Sequence, residues 1–175
     1  MNPFKSLQDY ISAQKTIGFY FILLGVILLI IAAFSNFYDS EKPFLRGLFL
    51  GGGIAGVLII IGGIFYRSFS SKLFITVESE YKKDKAIFLK NETKRMEKVL
   101  YNFSSFQTVF TIIIILAIGV IISFMIPFVS GVCLAISLLF IGIMIIEAIS
   151  KISINIYYQE LLKAHSSNFI LQGLD

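Results

Sequence analysis

Residues 44–66 read FLRGLFLGGGIAGVLIIIGGIFY, and the reading of this stretch decides the fold. Its centre, Gly51-Gly52-Gly53-Ile54-Ala55-Gly56, matches G-x-G-x-x-G letter for letter. A dinucleotide-binding turn needs a strand before the glycines, a helix after them, and an acid about 20 residues on. No polar loop precedes these glycines, and the first acid downstream is Glu78, beyond the basic exit at Arg67. Between Arg46 and Arg67 the stretch carries no charge. A run of about 20 apolar residues crosses roughly 30 Å of hydrocarbon. The stretch therefore reads as a transmembrane helix, and its glycines as packing positions.

The rest of the chain supports that reading. Of 175 residues, 57% are apolar and only 15% charged, with a mean hydropathy of +0.84. Soluble domains run nearer 45–50% apolar and about 25% charged. Residues 16–38 and 99–146 are also free of charge. The first run fits one span. The second fits two, with the turn at Pro127-Phe128-Val129-Ser130-Gly131. Four spans are expected near 17–35, 44–66, 106–126 and 130–149. The first is too long for a signal-peptide core and is expected to be retained. Lipidation is not expected, since position 2 is Asn and the sequence ends Gly-Leu-Asp. Cys133 is the only cysteine, which excludes a disulfide within one chain and a cysteine zinc site.

In lipid, helices associate by close packing, and small residues let backbones approach. Gly18, Gly25 and Ala32 recur every seven residues in the first span. Gly47 with Gly51, and Gly52 with Gly56 then Gly63, do the same in the second. Gly131, Ala135 and Gly142 mark the fourth. These positions are expected to serve packing within the bundle, or, for the second span, an oligomer interface or hinge.

The second and fourth spans open alike, as Pro43-Phe44-Leu45-Arg46-Gly47-Leu48 and Pro127-Phe128-Val129-Ser130-Gly131-Val132. The same offset pairs Arg67 with Lys151. A two-helix unit repeated twice is expected, with a pseudo-two-fold along the membrane normal. The expected organisation is a first hairpin with an amphipathic N-terminal segment (1–70), a basic connector (71–105), and a second hairpin with a tail (106–175).

Thirteen lysines and arginines fall at the termini and in the connector, and two, Lys42 and Arg46, on the other side. By the positive-inside rule both termini and the connector face the cytoplasm. The absence of Trp and the abundance of Ile, Lys and Phe suggest a bacterial inner membrane. In the connector, Asn91 is expected to cap an amphipathic helix, with Glu92 in its first turn. Lys94, Arg95 and Lys98 would touch anionic lipid or a partner, with Met96 and Phe103 on the apolar side. Nucleic acid is not expected, because the basic patch is short and interrupted by acids. The tail alternates apolar and polar from Ile152 to Ile156, a strand pattern, but continuation of the fourth span as helix is favoured.

Glu147 is the only acidic residue inside a span, and such residues are functional candidates. Lys151, one turn on, offers a local pair. His165 is the only histidine. Catalytic, cofactor and metal sites are accordingly not expected. Arg95-Met96-Glu97, Val99, Asn102 and Phe103 form R-M-E-x-V-x-x-N-F. With Glu147 late in the fourth span, this resembles a group of small bacterial four-span proteins, and the resemblance implies architecture and no activity. The expected class is an all-α, four-span membrane protein. Its expected role is a non-enzymatic interaction, accessory or immunity subunit, with a protein partner or self-association. The alternative is a homo-oligomeric pore or membrane-disrupting effector.

Overall fold

The computed structural model describes residues 3–39 and 41–172. Four long helices account for nearly all of them: α1 (Pro3–Tyr38), α2 (Pro43–Lys83), α3 (Lys85–Phe124) and α4 (Pro127–Gln172). Each contains a stretch long and apolar enough to span a bilayer, and the protein is a multi-pass, all-α membrane protein. GGGIAG lies inside α2, with helix on both sides, so the setting of a dinucleotide turn is absent.

The helices are longer than their spans. At 1.5 Å per residue, the 41 residues of α2 reach about 60 Å, roughly twice the hydrocarbon thickness. The excess lies at the end that carries the α2–α3 junction. There the chain breaks only at Asp84, whose backbone is extended (φ −152°, ψ 107°). Its carboxylate accepts hydrogen bonds from the backbone N–H of Ala86 (2.8 Å) and Ile87 (3.0 Å). Asp84, not Asn91, thus caps α3. Asn91 is mid-helix, and the connector is the prolongation of two spans instead of a separate surface helix. The last segment is helical as well. Ile154, Tyr157 and Leu161 are buried, while the alternating Ile152 and Ile156 are exposed, a helical spacing that overrides the strand pattern.

This extended end has a core of its own. Leu7 and Ile11 of α1, Val77 of α2, Phe88, Leu89 and Met96 of α3, and Ile154, Tyr157 and Leu161 of α4 pack together. Met96 is fully enclosed, and Phe103 is half-buried and packs against the cluster. The charged connector stays folded because its apolar face is covered by the other three helices.

Within the spans, small residues set the contacts. Gly25 and Gly56 face each other: a Cβ on Gly25 would lie 2.7 Å from the Gly56 carbonyl oxygen, and one on Gly56 2.9 Å from that of Gly25. Gly63 faces Gly18 in the same way, and Gly52 lies against Ala32. This seam joins α1 to α2. Gly47 and Gly51 point the other way, onto α4, where Gly51 meets Ala135. Gly47 abuts the carbonyl of Phe128, and Gly131 abuts the carbonyl of Phe44. Gly142 seats Leu24 of α1. The seams leave α3 at the side. It packs on α4 and only sparsely on α2. Only 6% of its most apolar window is buried, against 28% in α1 and α2.

Candidate functional site

Polar side chains converge where the spans pass into the extended end. Gln14 on α1 is buried, and its amide is held from two other helices. The Tyr66 hydroxyl of α2 donates to Gln14 Oε1, and Ser150 Oγ of α4 donates to the same oxygen at 3.4 Å. Gln14 Nε2 donates to Ser153 Oγ at 3.4 Å. Buried amides require such partners, and each of these bonds spans helices far apart in sequence.

One turn further out lies an ion pair of a buried Glu92 and a half-buried Arg95. Arg95 Nε donates to Glu92 Oε2 (2.7 Å), and Arg95 Nη2 donates to Oε1 (2.6 Å). The two residues are three apart on α3, and the bidentate geometry is the strong form of this contact. The Tyr157 hydroxyl adds a third donor to Glu92 Oε1 at 3.2 Å. The Tyr157 ring stacks on that of Tyr10, with centroids 4.7 Å apart and planes within 7°. Burial works against the charge on Arg95. The hydrogen bonds and charge of Glu92 outweigh it, so its pKa is raised.

Burial also raises the pKa of Tyr157, and the Glu92 carboxylate adds to the effect. Tyr10 is raised mainly by burial too. A phenol with a folded pKa above its unfolded value of 10.0 stabilises fully below that pH and loses its contribution above it. The unfolding midpoint in detergent is therefore expected to hold steady to about pH 9 and fall beyond about pH 10. In Tyr10→Phe/Tyr157→Phe the alkaline fall should be shallower. An identical slope in both proteins would show that these phenols do not titrate with unfolding.

Between the ion pair and the spans lies a cavity of about 310 Å³. All four helices contribute to its wall. Its polar part is Tyr10, Gln14, Tyr66, Ser70, Arg95, Asn102, Glu147 and Ser150, and the rest is apolar, with several aromatic rings. Glu147 forms no ion pair with Lys151 or any other cation among the described residues. Its Oε2 is buried and has no hydrogen-bond partner.

The positions singled out from sequence thus divide. Arg95, Phe103 and Glu147 are brought together at the cavity, along with Val99 and Asn102. Met96 lies in the neighbouring core, and Lys94 and Lys98 face outward. The glycines lie in helix–helix seams away from it. Sequence reading missed Gln14, Tyr66, Ser150, Tyr10 and Tyr157. A signal was present in the helical spacing of Tyr10, Gln14, Ile17 and Phe21, all of which line the cavity from one face of α1. Among the described residues no group of three or more His, Cys, Asp or Glu is placed to hold a metal ion. Comparisons with protein-family models, with curated proteins and with solved structures find no match.

Proposed function

We propose that the protein is a non-enzymatic interaction subunit of a bacterial inner membrane, which holds a basic helical hairpin away from the bilayer for an acidic protein partner. One observation carries this reading. Lys90, Lys94 and Lys98 lie four residues apart on one exposed face of α3, and none pairs with a carboxylate among the described residues. The opposite face, with Leu89, Glu92 and Met96, is buried. Lys90 is sixteen residues before Phe106, so it stands about 24 Å beyond the expected span boundary. Headgroups account for roughly 5–7 Å of that, and the Debye length at physiological salt is about 8 Å. Lys90 is thus beyond effective reach of lipid charge, while Lys98 is nearer to it. The excess of basic residues at this end supports a cytoplasmic orientation.

Two further inferences belong with this reading. The reciprocal approach of Gly47 to Phe128 and Gly131 to Phe44 supports descent from a duplicated hairpin. The same seams weaken the pore alternative, because Gly52, Gly56 and Gly63 are filled by α1 of the same chain.

A photo-crosslinking amino acid at position 94 tests the role in the native host. One dominant protein adduct is expected, reduced at least about tenfold by Lys90→Glu/Lys98→Glu, as expected when complementary charge guides association. Adducts to lipid alone, or a protein adduct indifferent to the charge reversal, would refute the proposal.

A further inference from the structure

The wall of the cavity carries two charged side chains, Arg95 and Glu147. They are not equivalent. Arg95 is committed to Glu92 through two hydrogen bonds of 2.6–2.7 Å, so that pair is neutral as a unit. Glu147 has no countercharge among the described residues, and its Oε2 lacks a donor. The one uncompensated charge of the chamber is negative. Glu147 is half-buried, and an enclosed carboxylate oxygen without a donor is costly, a cost that a bound donor removes.

The surroundings narrow the class of donor. Gln14 Oε1 already accepts from Tyr66 and Ser150, so few oxygens remain for a bare metal ion. The volume of about 310 Å³ matches the lower end of small-molecule sites. Phe21, Phe69, Phe103 and Phe106 supply apolar ring surface, and Tyr66 adds another ring. Aromatic faces attract cations. An anion would meet Glu147, and a neutral apolar ligand would leave Oε2 without a donor. The sparse contact between α2 and α3 leaves the side of the bundle least closed at the helix pair whose rings line the chamber.

We propose that this cavity binds a protonated organic amine with a small apolar body, its ammonium N–H donating to Glu147 and its body lying among the phenylalanine rings. A quaternary ammonium lacks the N–H and is a poorer ligand. The amine is either a free small molecule or the ammonium of an aminophospholipid headgroup. The site stands apart from the lysine stripe and does not depend on the docking role.

Radiolabelled phenethylammonium is the probe, with the full chain in nanodiscs of phosphatidylcholine alone. Saturable binding is expected. Glu147→Gln should weaken it at least about tenfold, the loss expected for one charge-assisted hydrogen bond. On the wild-type chain, unlabelled phenethyl alcohol and phenethyltrimethylammonium should compete at least about tenfold less well than phenethylammonium. These competitors keep the test valid if Glu147→Gln fails to fold. A second arm adds phosphatidylethanolamine to the nanodiscs. Loss of probe binding there assigns the site to the lipid headgroup, and retention assigns it to a free amine. No saturable binding in phosphatidylcholine, equal binding by Glu147→Gln, or equal competition by the alcohol would overturn the proposal.

Discussion

Gly131→Ala and Gly47→Ala are each expected to destabilise the bundle by about 2–3 kcal/mol, at the upper end of what one extra methyl group costs in a packed interior. The reason is what the methyl would meet. At Gly47 it would overlap the carbonyl of Phe128, and at Gly131 that of Phe44. These are backbone atoms of a facing helix and cannot rotate away. The α2–α4 crossing would have to open, and α2 also carries α1 on its other seam. Gly53→Ala, Gly62→Ala and Gly119→Ala are the controls. Nothing lies within 4 Å of a Cβ at any of them, so they should be neutral or gain up to about 1 kcal/mol of helix propensity. Unfolding titration in mixed micelles measures both sets. Equal effects in the two sets would mean that α2 and α4 do not cross at these glycines.

Arg95→Met is expected to cost about 3–5 kcal/mol, the range for leaving a buried charge without its partner. It would leave the Glu92 carboxylate, with only 5% of its side chain exposed, facing the Tyr157 hydroxyl alone. Glu92→Gln should cost less. The glutamine keeps an acceptor for Arg95 and Tyr157, and the Arg95 side chain is 32% exposed, so water can solvate its charge. The double change Glu92→Leu/Arg95→Met should recover much of the loss, because it removes the buried carboxylate together with its partner. Thermal unfolding of the three variants, with proteolysis near Asp84 as a local readout, gives the order. A double variant as unstable as Arg95→Met would mean that the pair is held for a reason other than mutual compensation.

The transmembrane layer was open to sequence reading because hydropathy belongs to each residue separately. Charge-free runs locate α1, α2 and the α3–α4 pair without any knowledge of contacts. Pro127 marks the start of α4, although the left-handed turn falls on Met125 (φ 47°), two residues earlier. The extended end was less legible because its charges look solvated. Glu92 and Arg95, three apart on a helix rich in lysine, resemble an exposed pair. Their burial follows from Tyr10 and Tyr157, far away in sequence, which no local pattern connects to them. Asn91-Glu92 resembles a helix start, but Asp84 breaks the chain first. Glu147 lies one turn from Lys151, yet the rotation of α4 turns it into the cavity wall. That rotation is set by helix contacts at Gly131 and Ala135, a tertiary fact. The residues of R-M-E-x-V-x-x-N-F were visible as a motif, and only the fold shows Arg95, Val99, Asn102 and Phe103 lining one chamber with Glu147.

The standing of the α2–α3 hairpin clear of the bilayer is the claim on which the account turns. A nitroxide attached at Lys90→Cys, in a chain with Cys133→Ala, reports it directly in liposomes. Cys133 is the only native cysteine, so the label has one site. Power saturation should show strong relaxation by a water-soluble nickel chelate and weak relaxation by oxygen, as at a site well outside the headgroups. Relaxation dominated by oxygen would place Lys90 in or at the lipid and contradict the account.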